Sequence, residues 1–245
     1  MYPIILNLSW FKIYSYPLFM GLSWGFAFHY CETKKENFLT KKQFNWFMIG
    51  NFMMSWVGSK FFFLLFSAGT KSSEYIESSN FWLGGGFVFY GGLIFCLLYT
   101  YLFLKLTKVP FSNLINFVPA IAYAHGIGRI GCFLAGCCYG LETNHFLAVS
   151  IHDHSLLPTQ LFESALCLGI GKYLEHLIKV KKSFLVLPTY LLMYGMGRFF
   201  LEFLRGDSVR GSFGGLASSQ WVSIFLIVLA SFLNLKSLRD NLLTK

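Results

Sequence analysis

The segment from His125 to Gly140 places an arginine, Arg129, inside a stretch that is otherwise apolar enough to form a membrane helix. A charge at bilayer depth costs about 2.5–3.5 kcal/mol on insertion scales. Such a charge is expected to be offset, either by an anionic ligand in a polar cavity or by an ion pair with a buried glutamate. Arg129 is therefore the first candidate for a residue that binds a phosphate group, such as that of a lipid.

Two more arginines flank a glutamate at the end of another apolar stretch. Arg198 and Glu202 are four residues apart and Arg205 follows three residues later, so all three are expected on nearly one helix face. This basic–acidic–basic stripe favours a binding site. Arg198 is predicted to lie about two turns deeper than Arg205, whose side chain is expected to reach partly to the membrane surface.

The segment from Pro158 to Glu163 reads as the start of a helix, because proline is favoured in a first helical turn. Thr159 and Gln160 are interpreted as helix-capping residues. Glu163 lies one turn into the helix, where it could pair with Arg129 or Arg198, or hold a proton.

Two groups of glycines accompany these charges. Gly91 and Gly92 follow Tyr90, and they either allow close helix packing or let a lipid headgroup reach the backbone, with the Tyr90 hydroxyl in the cavity. The glycines around Arg129 are predicted to break its helix within a cavity, where non-helical backbone is tolerated.

Three cysteines, Cys132, Cys137 and Cys138, cluster after Arg129. Their spacing does not match the paired C-x2-C patterns of zinc sites, so no metal site is predicted. A disulfide is the second alternative, and apolar packing is the leading interpretation.

Composition favours an integral membrane protein in a single domain, residues 1–245. The chain is 55% hydrophobic and 13% charged, whereas soluble domains carry about 25% charged residues. The predicted fold is all-α, with about seven transmembrane helices around a polar cavity for a lipid headgroup. The apolar runs that predict these helices lie near 13–30, 44–67, 82–104, 112–136, 159–178, 184–204 and 217–235.

The net charge of +9 acts as a topology signal. Lysines and arginines concentrate in alternate loops and at the C-terminus, which predicts an external N-terminus and a cytoplasmic C-terminus. No basic run is interleaved with exposed aromatic residues, so nucleic-acid binding is not predicted.

Several motifs, taken together and in this order, resemble those of the prolipoprotein diacylglyceryl transferase family. They are Tyr16-Pro17-Leu18, Tyr90-Gly91-Gly92-Leu93, Gly128-Arg129 through Gly140, Pro158 to Glu163, and Arg198 to Arg205. The resemblance spans residues 14 to 235.

This resemblance implies a transferase of the bacterial inner membrane, without metal or organic cofactor. Phosphatidylglycerol would donate diacylglyceryl to the lipobox cysteine of a preprolipoprotein, and glycerol 1-phosphate would leave. Other membrane lipids would surround the enzyme. The residues expected to bind the lipid are Tyr16, Gly91, Gly92, Arg129, Glu163, Arg198 and Arg205, and those expected to act in the chemistry are Tyr90, His125, Arg129 and Glu202.

Three positions depart from the family pattern. Tyr90, Cys132 and Cys137 stand where the family has histidine, asparagine and glutamate. Either His125 or Tyr90 is expected to accept the proton of the acceptor thiol, with His125 favoured because an imidazole titrates near neutral pH. Two alternatives remain: a divergent paralogue that acts on another acceptor, and a lipid-binding scaffold without activity.

Overall fold

Seven α-helices dominate the part of the chain that the computed structural model describes, which is residues 2–8, 11–35, 38–66, 76, 87–151, 153–206 and 212–243. Short 3₁₀-helices, Phe111–Phe117 and Ser183–Leu185, lead directly into the fourth and sixth. The helices are α1 Ser15–Lys34, α2 Lys41–Phe66, α3 Phe89–Thr107, α4 Val118–Ala135, α5 Thr159–Lys179, α6 Val186–Glu202 and α7 Ser218–Leu243.

Five of these helices are long and apolar enough to cross a membrane, namely α2, α3, α4, α6 and α7. The spans of α4 and α6 include the 3₁₀-helix that precedes each of them. Large apolar side chains on them are exposed, including Leu106 at 82% and Phe232 at 64%, as expected of a surface that faces lipid. The all-α fold with several spanning helices is therefore confirmed. The span count of seven stays a prediction, because α1 and α5 do not meet these criteria.

Three small antiparallel hairpins complete the described structure, and the sequence did not predict them. In the first, Leu8 lies opposite Phe11, and in the second, Ser150 lies opposite Ser155. The second hairpin lies between α4 and α5. The paired strands are β1 Ile4–Leu8 with β2 Phe11–Tyr14, β3 Val149–Ile151 with β4 His154–Leu156, and β5 Ser212–Phe213 with β6 Leu216–Ala217.

The chain divides into two compact units, one formed by residues 1–31 with 115–245 and the other by residues 32–114. The first unit contains α4 to α7 and most of α1, and the second contains α2 and α3. Whether the chain acts as the single domain expected from the sequence stays a prediction.

The core of the first unit lies where α4, α5 and the start of α6 meet. Helices α4 and α5 approach closely at Gly126, where an added Cβ would lie 3.0 Å from Leu168. The Ser164 hydroxyl donates a hydrogen bond to the carbonyl of Gly126 over 2.8 Å. This close approach brings Arg129, one turn after Gly126 on α4, to the level of Glu163, which directly precedes Ser164 on α5. The core residues are Val118, Ala122, Ile170, Leu174, Leu177 and Val186.

The glycines around Arg129 pack helices and do not interrupt α4, so the predicted break is wrong. The helix continues through Gly131, where an added Cβ would lie 2.6 Å from Phe19 of α1. It ends at Gly136, whose φ of 72° is the left-handed conformation that glycine adopts at helix C-termini. A side chain at Gly131 would force α1 and α4 apart.

In the second unit, Gly91 and Gly92 bring α3 against α2. An added Cβ on Gly91 would lie 2.3 Å from the carbonyl oxygen of Gly58, and one on Gly92 would lie 2.5 Å from the Ser59 hydroxyl. The close-packing interpretation of these glycines is confirmed. Their predicted role in lipid binding stays a prediction.

Candidate functional site

Glu163 lies at the centre of a buried cluster of charges in the first unit. The residue is only 2% exposed. Its Oε1 atom accepts hydrogen bonds from Arg129 Nη2 over 3.0 Å and from the Tyr194 hydroxyl over 3.2 Å. His125 Nε2 lies 3.5 Å from the same oxygen, and Arg198 Nε lies 4.0 Å from it. A single carboxylate oxygen therefore organises side chains from α4, α5 and α6.

The two partners considered for Glu163 are both present. Arg129 pairs with it directly, as the ion-pair alternative for Arg129 anticipated, and Arg198 lies at the edge of ion-pair distance. Removing Glu163 would leave Arg129 without its buried countercharge, which costs about 3–5 kcal/mol.

The stripe at the end of α6 forms the second half of the cluster. Glu202 forms ion pairs with Arg198, four residues earlier, and with Arg205, three residues later. The shared face predicted from the spacing is confirmed. The predicted reach of Arg205 to the surface is wrong: its side chain is 4% exposed, because it turns back to within 3.9 Å of Glu202.

The cluster carries an excess of positive charge. Three arginines face two glutamates, Glu163 and Glu202, so the formal charges of these five side chains sum to +1. Three guanidinium nitrogens in it are buried without a hydrogen bond among the described residues. Arg198 Nη2 is ion-paired with Glu202, which leaves Arg129 Nε and Arg198 Nη1. Buried donors without partners are rare and point to a ligand that accepts from them.

The first turn of α5 holds the loop that follows α4. The Thr159 hydroxyl donates to the carbonyl of Cys138 over 3.0 Å, and Gln160 Nε2 donates to that of Cys137 over 2.7 Å. No side chain caps the helix at Pro158. The capping interpretation is therefore wrong, because both side chains bind backbone carbonyls 21 and 23 residues away.

Backbone hydrogen bonds join the same loop to the end of α6. Gly140 N–H donates to the carbonyl of Leu157 over 2.8 Å, and Leu141 N–H donates to that of Leu204 over 2.9 Å. An added Cβ on Gly140 would lie 2.7 Å from the Leu204 oxygen, so glycine permits this approach. The loop is thus tied to two helices that carry the charge cluster.

The structure gathers the three cysteine sulfurs in this loop, all within 4.8 Å of one another. Among the described residues, none of the three sulfurs forms a disulfide bond. Hydrogen bonds from the Cys132 and Cys137 thiols lower the pKa of the Cys138 thiol, and the charge of Arg129 and a hydrogen bond from Arg205 lower it further, whereas burial opposes them. Cys138 is therefore under the influence of two arginines of the charge cluster.

A family model for prolipoprotein diacylglyceryl transferase matches residues 3–235 of this chain. The chain belongs to the prolipoprotein diacylglyceryl transferase family. The chain is thus a multi-pass membrane protein of a transferase family, as the sequence motifs predicted.

Curated relatives agree with this family membership. A phosphatidylglycerol–prolipoprotein diacylglyceryl transferase of Clostridium tetani is 32% identical over 248 residues, which cover 95% of this chain and 96% of the relative. One of Streptococcus suis is 30% identical over 243 residues, covering 92% and 88%. A second such transferase of Clostridium perfringens is 40% identical over 160 residues, covering 59% and 60%.

The remaining residues that the family resemblance implied lie in two places. Tyr16 belongs to the first unit, where its Cα would lie 3.7 Å from a Cβ on Gly131, close to the turn that carries Arg129. Tyr90 belongs to the second unit with Gly91 and Gly92, and it is 40% exposed.

Tyr194 is the residue of this transferase cluster that the sequence motifs missed. It donates to Glu163, and its ring lies 5.1 Å from the imidazole of His125, measured between ring centroids. Its position four residues before Arg198 on α6 was the available signal, because residues at that spacing share a helix face.

Proposed function

We propose that this chain transfers the diacylglyceryl group of phosphatidylglycerol to the lipobox cysteine of a preprolipoprotein. The observation that carries this proposal is the cluster in which two buried guanidinium groups keep unpartnered N–H donors beside an excess positive charge. The substrates follow from those named for the transferases of Clostridium tetani and Streptococcus suis, which match nearly the whole chain.

The reaction makes specific demands on such a site. The acceptor sulfur, as thiolate, attacks the glyceryl carbon that carries the phosphate; a carbon–sulfur bond forms, the carbon–oxygen bond breaks, and glycerol 1-phosphate leaves. Negative charge therefore moves from the sulfur to the departing phosphate. Arginine suits this task because its planar fork binds phosphate oxygens in pairs and its charge persists when it is buried.

Each charged residue has a distinct part in this proposal. Arg129 Nε and Arg198 Nη1 are the donors left to hydrogen-bond the phosphate oxygens, since Nη2 of each side chain contacts Glu163 or Glu202. Glu163 orients Arg129, and Glu202 holds Arg198 and Arg205 in place. His125 beside Glu163 and Tyr90 in the second unit are the two candidate bases for the thiol proton.

A second candidate function is transfer of a lipid group to an acceptor other than a lipobox cysteine. The thiols at Cys132 and Cys137 favour it, because they differ from the family residues at those positions and their sulfurs lie within 4.8 Å of that of Cys138. Incubation of the protein with phosphatidylglycerol, with and without a lipobox peptide, separates the two functions. Lipid transferred to the peptide supports the lipobox acceptor, whereas lipid donor consumed equally without the peptide supports another acceptor.

The proposed orientation in the bacterial inner membrane has seven spans, the N-terminus outside and the C-terminus in the cytoplasm. It rests on the alternation of basic loops. Reporter fusions after Lys42, Lys108, Lys182 and Lys245 are expected to read as cytoplasmic. Fusions near Lys71, His152 and Arg210, which lie outside the described residues, are expected to read as external. A cytoplasmic signal at His152 would place the Arg129 cluster on the wrong side of the membrane.

The transfer assay uses the purified chain in phosphatidylglycerol vesicles with a lipobox peptide, and the added mass on the peptide is measured. Arg129→Lys keeps the charge but loses the fork, so the rate should fall at least about tenfold, or about 1.4 kcal/mol of transition-state stabilisation. Arg239→Lys, in the basic segment at the end of α7, is the matched control. Transfer by Arg129→Lys at the wild-type rate would refute the phosphate role of Arg129, and no transfer by the wild type would refute the proposed function.

A further inference from the structure

The proposed mechanism leaves the cluster of Cys132, Cys137 and Cys138 without a role. Their sulfur atoms lie within 4.8 Å of one another, and no histidine or carboxylate among the described residues belongs to the group. In a tetrahedral zinc site with bonds of about 2.3 Å, neighbouring sulfurs are about 3.8 Å apart. Side-chain rotations that shorten the sulfur–sulfur distances by about 1 Å would therefore bring these thiols to the spacing of zinc ligands.

The backbone around these cysteines is held in a defined shape. Cys137 N–H donates to the carbonyl of Cys132 over 3.1 Å, and Cys138 has a φ of 64°, which is uncommon for a residue other than glycine. The buried side chains of Thr159 and Gln160 donate hydrogen bonds to the carbonyls of Cys138 and Cys137, respectively. The three thiols are thus arranged by long-range contacts before any ligand binds, which is a feature of functional metal sites.

We propose that Cys132, Cys137 and Cys138 bind one thiophilic divalent cation, Zn²⁺ in the first instance, and that the acceptor thiol binds it as the fourth ligand. Three protein ligands with one open position are the arrangement of catalytic zinc, whereas structural zinc has four. The role of the acceptor thiol rests on the proposed function, and the metal site itself does not.

The charges around the cluster fit such a centre. Three thiolates and Zn²⁺ sum to −1, and a fourth thiolate makes −2, which positive neighbours must offset. Arg129 lies one helical turn before Cys132, and Arg205 donates a hydrogen bond to Cys138. The same arginines border the proposed phosphate site, so the metal and the lipid headgroup would lie side by side.

This site would supply the nucleophile for the transfer. On binding Zn²⁺, the acceptor thiol releases its proton, to one of the two candidate bases or directly to solvent, and becomes a metal-bound thiolate. Its sulfur forms a bond to the glyceryl carbon while the carbon–oxygen bond to phosphate breaks and glycerol 1-phosphate leaves. The product is an uncharged thioether, a weaker zinc ligand than a thiolate, so it dissociates and the open position returns. No redox change occurs in these steps.

The first experiment measures metal in the full chain purified in detergent without chelators. We expect about one zinc per chain, as a site with three protein ligands predicts. The zinc content should fall at least about tenfold in each of the variants Cys132→Ser, Cys137→Ser and Cys138→Ser, because a hydroxyl is a much poorer zinc ligand than a thiolate. Cys96→Ser, a half-buried thiol of α3 that contacts the Asn51 carbonyl, is the matched control and should keep the metal.

Two results would overturn the metal site. One is zinc content that is the same in the Cys138→Ser and wild-type proteins. The other is a protein that binds neither zinc nor added Co²⁺ and whose intact mass or peptide map shows a disulfide within the cluster. The Co²⁺ measurement uses only the wild type, so it holds even if a serine variant fails to fold.

The second experiment separates this inference from the proposed function. Co²⁺ in the site should show sulfur-to-metal charge-transfer absorption, and a lipobox peptide should shift its visible bands, whereas the same peptide with serine for cysteine should not. A shift without lipid transfer would refute the proposed function and support the site. A different pair of results would overturn the role of the acceptor thiol as fourth ligand: full-rate transfer by the metal-free protein, and cobalt bands that do not shift when the peptide is added. The proposed function would then still stand.

Discussion

Replacing Glu163 with glutamine tests whether this carboxylate holds the charge cluster together. The substitution keeps the shape of the side chain and one hydrogen-bond acceptor, but it removes the negative charge that faces Arg129 at 3.0 Å and Arg198 at 4.0 Å. The formal charge of the five clustered side chains rises from +1, three arginines less two glutamates, to +2, three less one.

The expected loss of stability is large because the site is buried. Glu163 is 2% exposed, so solvent cannot replace the lost charge. Breaking a buried ion pair on one side costs about 3–5 kcal/mol. At about 2–4 °C per kcal/mol for a chain of this size, the unfolding temperature of Glu163→Gln should fall by about 6 to 20 °C.

The assay is thermal unfolding of the purified protein in detergent, with Glu175→Gln as the matched control. Glu175 lies on the same helix and half-buried, but its Oε2 accepts a hydrogen bond from the Tyr123 hydroxyl. The double variant Arg129→Met with Glu163→Gln restores the charge of +1 and should unfold at a higher temperature than Glu163→Gln alone. Equal unfolding temperatures for Glu163→Gln and Glu175→Gln would refute the central role of Glu163.

Two further predictions concern the loop and the proton acceptor. Gly140→Ala should lower the free energy of unfolding, measured by chemical denaturation, by about 1–3 kcal/mol, because its Cβ would lie 2.7 Å from the Leu204 oxygen. Gly169→Ala is the control. Its Cβ would have open space around it, so the free energy of unfolding should not fall in the same assay. If His125 is the base, His125→Gln should lose most of the transfer rate and the acid limb of the pH–rate profile, whereas Tyr90→Phe keeps that limb. Unchanged profiles for both variants would exclude both residues and favour activation of the thiol by the metal and the arginines.

Local patterns in the sequence predicted the features that depend on neighbouring residues. Apolar runs predicted the long helices, because a helix that faces lipid must be apolar along its length. The four-residue spacing of Arg198 and Glu202 predicted that they share a helix face, and on that face they form an ion pair. Order and spacing of the motifs also predicted the family, which the match over residues 3–235 confirmed.

Sequence patterns that were short or ambiguous did not predict the structure correctly where the packing of helices determines it. The glycines around Arg129 suggested a broken helix, but the close approach of α1 and α5 to α4 explains them as packing residues. The hairpins are too short for their alternation to stand out in the sequence. Arg205 has the sequence position of a surface residue, yet an ion pair with Glu202 keeps its side chain buried.

The tertiary structure alone decided which distant side chains meet. Arg129 and Glu163 are 34 residues apart, and their contact depends on the close approach of α4 and α5 near Gly126. Thr159 and Gln160 reach carbonyls of the cysteine loop, and the three sulfurs come together although their spacing matches no zinc pattern. The physical reason is that helix periodicity determines which face a residue occupies, whereas the packing of whole helices determines what that face meets.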